Sequence, residues 1–331
     1  MIAIARQRSG GRPIWESVAR VATDLGIADL VDAQYYEIRL GESQEQIDYL
    51  PAFSRAAAPH LRARLRERAG PRQRSDGSRW RLLAALVEAW ADGHSWISLR
   101  VPTVWLEFDD LHNVEADDAV PSVSVCLVPG YRCDRPIAWR DPEGDRRTLH
   151  EVLTALGFER TQDLDLALDD VFAHLPPDGR WIHLSVMLGR EPCAVKLYGS
   201  MLRHDLLPYL RKIGWCGDVQ VISSILEGVY SPRLVGEEVF VDLNLDTFRD
   251  PALCSLGLAA GQQHAHRDPA RDASRGRLLD RWVEDGLCAP AKRESLRGWP
   301  PASKRSAFLD LKVVWQRHAG LTGKAYLGCS P

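Results

Sequence analysis

The side chains best suited to hold an anion form two lysine-x-tyrosine triplets, Lys196-x-Tyr198 and Lys324-x-Tyr326. Side chains two residues apart lie on the same face of a β-strand, so each triplet presents an ammonium and a phenolic hydroxyl together. Lys312 adds a third ammonium from another predicted strand. The 42 Lys and Arg residues include only six lysines, so three of them on strand faces indicate a need for lysine there. The alternative is that they lie at a rim with their polar ends in water.

Three carboxylates on predicted strands, Glu107, Asp242 and Asp310, are the candidates for proton transfer. A positioned carboxylate can hold or accept a proton during a reaction. The same positions suit salt bridges to lysines on neighbouring strands equally well. The sequence leaves both roles open for each of the three.

The strands that must position these groups have two distinct faces, because successive side chains point to opposite sides of a sheet. One face is apolar in nearly every strand: Val104, Leu106, Phe108; Val123, Val125, Leu127; Ile182, Leu184, Val186; Val195, Leu197; Val239, Val241, Leu243, Leu245; Leu309, Leu311, Val313; Ala325, Leu327. The other face is mixed: Trp105, Glu107, Asp109; Ser122, Ser124, Cys126; His183, Ser185, Met187; Lys196, Tyr198; Phe240, Asp242, Asn244, Asp246; Asp310, Lys312; Lys324, Tyr326. Helices bury apolar sheet faces, so we expect them over the first set, with the second facing water or a lumen.

A unit of two strands followed by two helices recurs along the chain. Strand pairs begin at Val104, Trp181, Val239 and Phe308, and amphipathic helical stripes separate the successive pairs. Short, turn-rich gaps such as residues 189–192 predict that each pair is an antiparallel hairpin. The repetition is one of architecture, because the pair starts are unevenly spaced.

These units predict an α+β fold in which antiparallel strands curl into a barrel with helices outside. The mixed face carries aromatic and sulfur side chains between its charges, which suits an enclosed cavity, and at least eight strands are available to close one. The alternative is an open antiparallel sheet, or several, covered by helices on one face and exposed to solvent on the other.

The N-terminal hundred residues are predicted to be mainly helical. Helical spacing runs through residues 46–65, whereas only residues 35–40 and 96–100 read as extended. The chain therefore divides into a helical region, 1–100, packed on a barrel domain, 101–331.

Composition excludes several classes of protein. The 331 residues carry a net charge of −3, with 45% apolar and 26% charged residues, which excludes a disordered tail and a general nucleic-acid binder. Seven scattered cysteines without a C-x-x-C pair indicate neither a disulfide framework nor a zinc ribbon. The N-terminal apolar stretch is too short for a signal peptide, and no stretch is long enough to span a membrane. We expect a cytoplasmic protein with neither nucleic acid nor membrane as a partner.

The repeated ββαα units and the two lysine-x-tyrosine triplets resemble the aromatic prenyltransferases of the ABBA type, over residues 104–328. The resemblance implies a closed barrel that holds both substrates in its lumen. It implies transfer of a prenyl group from an allylic isoprenoid diphosphate to an aromatic small molecule or a peptide side chain. It also assigns the diphosphate to Lys196, Tyr198, Lys312, Lys324 and Tyr326, and the acceptor proton to Glu107, Asp242 or Asp310. No cofactor is required, and Mg²⁺ is an option.

Two other functions remain open at this stage. The first is a metal-dependent enzyme whose donors would be Glu107, Asp109, His112, Asp242, Asp246, His264 and His266. Carboxylate and imidazole groups on strand faces and strand ends are suitable metal ligands. The second is a non-catalytic module that binds a peptide or another ligand, with side chains filling the lumen.

Overall fold

The computed structural model of the chain describes residues 14–41, 46–69, 77–109, 120–128, 141–158, 161–190, 193–228, 237–245, 247–250, 253–259, 263–264, 269–297, 299 and 307–329. Within them the strands are β1 (Ala33–Arg39), β2 (Ile47–Ser54), β3 (Thr103–Glu107), β4 (Ser122–Cys126), β5 (Arg180–Val186), β6 (Val195–Leu202), β7 (Glu238–Asn244), β8 (Ser255–Ala259), β9 (Gln263–His264), β10 (Ala307–Gln316) and β11 (Gly320–Cys329). The helices are α1 (Ile14–Asp24), α2 (Ala58–Arg68), α3 (Gly77–Ala91), α4 (Trp96–Arg100), α5 (Pro142–Ala155), α6 (Gln162–Ala173), α7 (Arg203–Lys212), α8 (Val219–Gly228), α9 (Pro269–Glu284) and α10 (Pro290–Arg297). Short 3-10 turns lie at Ala28–Leu30 and Arg55–Ala57.

Ten strands form a closed antiparallel barrel. Strands β1 to β8 pair in chain order, β8 pairs with β10, β10 with β11, and β11 returns to β1. The two-residue strand β9 pairs with the start of β10 outside this ring. The predicted barrel is therefore confirmed, and the open-sheet alternative is wrong.

The two ends of the barrel differ in their connections. Hairpins join β1 to β2, β3 to β4, β5 to β6, β7 to β8 and β10 to β11 at one end, which we call the hairpin end. Helices join β2 to β3, β4 to β5, β6 to β7 and β8 to β10 at the other, the helical end. This is the repeated ββαα unit that the sequence predicts, with one further copy that begins at β1.

The hydrophobic core lies between the strands and the surrounding helices. The strand positions assigned to the apolar face, such as Val104, Leu184 and Leu311, are at most 3% exposed, and all but Ile182 form one cluster with helix residues such as Leu153 and Leu210. The mixed face points inward. The predicted assignment of faces is thus confirmed for the strands of residues 104–328 except at Ile182, where an irregularity in β5 between Trp181 and His183 places the side chain with the lumen residues Trp105 and Cys126 instead.

Two segments of the N-terminal region differ from the prediction. Residues 46–65 form strand β2 and then enter α2. The helical prediction fails at β2 because this strand is buried on both faces, so its apolar residues do not alternate with polar ones. Residues 96–100 form the helix α4 because the Ser95 hydroxyl caps it by accepting a hydrogen bond from the Ser98 N–H. The extended segment 35–40 is confirmed as β1. Both β1 and β2 belong to the barrel, so the sheet extends into the first hundred residues.

No helix among the described residues has the length and apolar character needed to cross a bilayer.

Candidate active site

The barrel encloses a cavity of about 440 Å³, which is large enough for a small organic ligand. All eight predicted site residues line it: Glu107, Lys196, Tyr198, Asp242, Asp310, Lys312, Lys324 and Tyr326. They come from five strands and from distant parts of the chain. The alternation of strand side chains brings them together because the sheet closes on itself.

The lumen is apolar toward the helical end. A small cluster there contains Tyr35, Ala52, Trp105, Cys126, Val128 and Ile182. The charged positions lie nearer the hairpin end, as in β6, where Lys196 is the second residue and Tyr198 is the fourth. The cavity therefore offers an apolar region and a charged region to one ligand.

A row of four rings runs along the lumen wall from β3 to β7. Trp105 packs on His183 with ring centroids 4.5 Å apart, His183 stacks on Tyr198 at 5.5 Å, and Tyr198 stacks on Phe240 at 5.8 Å. Burial lowers the pKa of His183 to about 4, so its imidazole is neutral at physiological pH. The row is an electron-rich surface without a positive charge of its own, which can stabilise a cation beside it.

Three cations occupy directly opposed positions on adjacent strands. Arg39 on β1 faces Lys324 on β11, and Lys324 faces Lys312 on β10. Opposed like charges repel, so each needs a nearby anion. In the described structure those anions are Glu37 and Asp242.

Glu37 balances the β1 and β11 side of this cluster. It accepts hydrogen bonds from the Lys324 ammonium at 2.5 Å and from the Tyr326 hydroxyl, and lies 3.4 Å from Arg39. Burial alone would raise the pKa of Glu37, but Lys324, Arg39 and Lys312 together hold it well below its usual range. Glu37 is therefore a permanent carboxylate. Burial and the charges of Arg39 and Lys312 lower the pKa of Lys324, while Glu37 opposes that change.

Asp242 balances Lys312. The ammonium of Lys312 donates to Asp242 and lies 3.4 Å from the hydroxyl of Tyr326. Burial opposes ionisation, but Lys312 and Lys196 lower the pKa of Asp242. Asp242 is therefore held as a carboxylate and is unsuited to take up a proton near neutral pH.

Glu107 is in a different electrostatic state. Arg190, on the turn between β5 and β6, donates to Glu107 at 2.7 Å and to both oxygens of Asp109 at 2.6 and 2.7 Å. Burial raises the pKa of Glu107 to about 7, with Asp109 adding to the effect and Arg190 opposing it. A carboxylate with this pKa can accept a proton and release it near neutral pH.

Two lumen charges have no ion-pair partner among the described residues. The Lys196 ammonium makes neither a hydrogen bond nor an ion pair with them, although it lies close enough to Glu107 and Asp242 to affect their pKa values. The residue Asp310 is 6% exposed, and its Oδ1 is buried with no hydrogen-bond partner in the described part of the chain. Burial raises the pKa of Asp310 to about 7, while Lys312 and the N–H of Leu311 oppose that change.

Sequence comparisons give no relative: no protein family and no curated protein matches the chain. Solved structures do match. The crystal structure of the apo form of the prenyltransferase PriB has a TM-score of 0.55 and 14% identity, over 99% of this chain and 94% of PriB. AnaPT from Neosartorya fischeri has a TM-score of 0.55 and 12% identity, over 89% of this chain and 77% of AnaPT.

The chain has the ABBA prenyltransferase fold. The resemblance drawn from the sequence is thus confirmed for the fold. The ABBA barrel also explains why the predicted site residues converge, because its ten strands surround a single lumen.

Three charged residues of the ABBA lumen are missing from the predicted mixed face: Glu37, Arg39 and Arg190. The first two alternate with Tyr35 along β1, so the same face analysis applied to β1 would have found them. Arg190 lies on a turn, where strand alternation gives no information.

Whether the lumen can hold a metal ion can be judged from the carboxylate ligands present. Glu37, Asp48 and Glu107 each place one oxygen within 4.8 Å of the others. Glu37 is bound by Lys324 and Tyr326, Glu107 by Arg190, and Asp48 lies 3.6 Å from Arg39. A resident Mg²⁺ would have to displace these donors, so the set does not fit one. Of the other predicted metal ligands, His112, Asp246 and His266 lie outside the described residues, and only the backbone of His264 is described.

Proposed function

We propose that the chain transfers a prenyl group from an allylic isoprenoid diphosphate to an aromatic acceptor, either a small molecule or a peptide side chain. One observation carries the proposal: a closed lumen combines a cluster of cations and phenolic hydroxyls with a continuous row of aromatic rings. The likeness of the fold to that of the prenyltransferase PriB supports it.

The reaction begins when the bond between the allylic carbon and the diphosphate oxygen breaks, and the electron pair leaves with the oxygen. Negative charge then grows on the diphosphate, and ammonium and hydroxyl donors stabilise it. We assign this role to Lys196, Tyr198, Lys312, Lys324 and Tyr326. The allylic cation that remains has the aromatic row beside it, which stabilises positive charge through the faces of its rings.

The acceptor carbon then forms a bond to the allylic carbon, and a proton must leave the acceptor. Of the three predicted carboxylates, Glu107 is the best base, because burial brings its pKa to about 7. Asp242 holds Lys312 in position. Burial also raises the pKa of Asp310 to about 7, but Asp310 has no ion-pair partner among the described residues, which points to another role.

Lys196 is the first contact we expect for the diphosphate. Lys312 and Lys324 are already paired with Asp242 and Glu37, so an anion must compete with those carboxylates for them. Lys196 offers its three donors without such competition. Binding should weaken as salt is added, because the attraction is between charges.

The test is to incubate the purified chain with dimethylallyl, geranyl or farnesyl diphosphate and a set of phenols, indoles and tyrosine- or tryptophan-containing peptides. Pyrophosphate release together with an acceptor mass increased by one prenyl unit supports the proposal. Diphosphate binding without release indicates a binding module instead. Loss of activity in EDTA, restored by Mg²⁺, would contradict the prediction that no cofactor is required.

A further inference from the structure

Asp310 differs from every other lumen carboxylate in the described residues. Glu37 is paired with Lys324, Asp242 with Lys312, and Glu107 and Asp109 share Arg190. Asp310 has no such pairing, although its side chain lines the cavity and is 6% exposed. Leaving a buried carboxylate oxygen without a donor is costly, and native structures rarely do so without a reason.

The side-chain donors nearest to Asp310 are directed elsewhere. Tyr326 is the cross-strand neighbour of Asp310 in the β10–β11 pair, but its single hydroxyl proton is donated to Glu37. Lys312, two residues along β10, directs its ammonium to Asp242 and Tyr326. Within the described residues, Oδ1 of Asp310 is therefore buried without a hydrogen-bond donor, while the residue itself lines the cavity.

Lys196 is the matching feature of opposite sign. It lies on β6, and two strands, β7 and β8, separate it from β10 around the wall. The register of the β6–β7, β7–β8 and β8–β10 pairs places Tyr198 level with Val314, four residues from Asp310, so Lys196 and Asp310 are separated along the strands as well as around the wall. The lumen thus presents one ammonium, Lys196, and one carboxylate, Asp310, that have no ion-pair partner among the described residues. Because they differ in charge and lie apart, one small anion cannot bind both.

We propose that Asp310 recognises the acceptor, and that the acceptor carries an N–H donor, best a protonated amine, that binds the Asp310 carboxylate. The name "acceptor" rests on the proposed function, but the recognition itself does not. An ammonium suits this position because its hydrogen bond to a carboxylate is charge-assisted and offsets the buried charge. Lys196 then receives the anionic donor, so the two unpaired charges select different substrates.

The test is an equilibrium binding measurement that needs no prenyl donor. Tyramine, N-acetyltyramine and 4-ethylphenol share one phenol ring and present an ammonium, a neutral N–H and no N–H group, respectively. Calorimetry would compare them on the wild type, Asp310→Asn and Asp310→Leu. We expect the wild type to prefer tyramine to 4-ethylphenol by roughly 10- to 100-fold, and both variants to lose that preference. A preference for N-acetyltyramine equal to that for tyramine assigns the site to neutral N–H groups.

Equal affinity of the wild type for tyramine and 4-ethylphenol would overturn the proposal, as would a preference that survives in both variants. Thermal melting verifies that each variant is folded, and Asp310→Asn keeps the shape of the side chain if the leucine variant does not fold. Because no diphosphate is present, a failure of prenyl transfer leaves this result unchanged. Conversely, prenyl transfer with no amine preference would support the proposed function and reject this recognition.

Discussion

Lys312 on β10 is ion-paired with Asp242 on β7, although strand β8 lies between them. The lysine side chain crosses β8 at Gly257. A Cβ added there would lie 2.5 Å from Cε of Lys312 and 2.9 Å from Cβ of Asp242. Because Gly257 has no side chain, the Lys312 ammonium can reach Asp242. Gly257 thus positions two charged residues although it carries no functional group itself.

The variant Gly257→Ala should separate Lys312 from Asp242. Breaking a buried ion pair leaves two uncompensated charges, so we expect the free energy of unfolding to fall by roughly 3 kcal/mol. Chemical denaturation measures it. Gly276→Ala in α9 is the control, because a Cβ added there meets nothing within 4 Å. Equal stability of Gly257→Ala and the wild type would show that the lysine reaches Asp242 by another route.

Lys196→Met should weaken pyrophosphate binding while leaving the fold intact. Losing one charge-assisted hydrogen bond costs roughly 1.5 to 3 kcal/mol, or about 10- to 100-fold in Kd. Because Lys196 has no ion-pair partner among the described residues, its removal leaves no carboxylate unpaired. Calorimetric titration with pyrophosphate is the measurement, and Lys212→Met, at an exposed position in α7, is the matched control. A Kd equal to that of the control would remove Lys196 from the site.

Glu107→Gln should lower turnover by on the order of 10² to 10⁴ while leaving diphosphate affinity almost unchanged, because a general base is removed and the cation cluster is kept. Single-turnover rates and pyrophosphate Kd are the two measurements. The comparison variant is Asp242→Asn, which should mainly tighten diphosphate binding, because it removes the carboxylate that competes with the diphosphate for Lys312. A Glu107→Gln variant that loses donor affinity in proportion to turnover would show an orienting role instead.

The pH dependence of turnover should have an acidic limb. A base acts only when it is deprotonated, and burial sets the pKa of Glu107 to about 7. The rate should therefore be low below pH 7 and rise through it. Measured with 4-ethylphenol, which makes no N–H contact, the limb should persist in Asp310→Asn and disappear from the residual activity of Glu107→Gln. If the rise of the rate with pH is unchanged in Glu107→Gln, a group other than Glu107 is responsible for it.

Asp310→Asn should stabilise the ligand-free protein at neutral and higher pH. Burial raises the pKa of Asp310 to about 7, so the folded state binds more protons than the unfolded state between about pH 4 and 7. Stability from this group is complete below the unfolded pKa and is lost as the pH rises through the folded one. The gain in Tm should be clear at pH 8, at about 2 °C for each kcal/mol, and vanish near pH 4. A gain that does not depend on pH would mean that Asp310 is not charged in the folded protein.

Strand alternation predicted most of this lumen. Lys196 and Tyr198 on β6, and Lys324 and Tyr326 on β11, face inward because residues two apart share a face, whatever the neighbouring strands contain. Strand alternation depends only on local sequence. It gives no prediction at β2, where burial on both faces removes the alternation, or at Arg190, which lies on a turn.

The pairing of the charges could not be predicted in this way. Which carboxylate meets Lys312 depends on the register of three strands and on the open space above Gly257. The sequence left Glu107, Asp242 and Asp310 equally open as salt-bridge partners of the lysines. In the structure Asp242 pairs with Lys312, and Glu37, which was not among them, pairs with Lys324.

The contacts of Glu37 with Lys324 and Tyr326 join residues 287 and 289 positions apart, across the pairing of β1 with β11. Contacts this distant in sequence form late in folding, because a long loop must close first. Until they form, β1 and β11 each have an unpaired edge that can recruit a strand from another molecule. A ligand that binds this cluster binds only the closed ring, so it should draw the equilibrium toward closure and suppress aggregation of newly made chains.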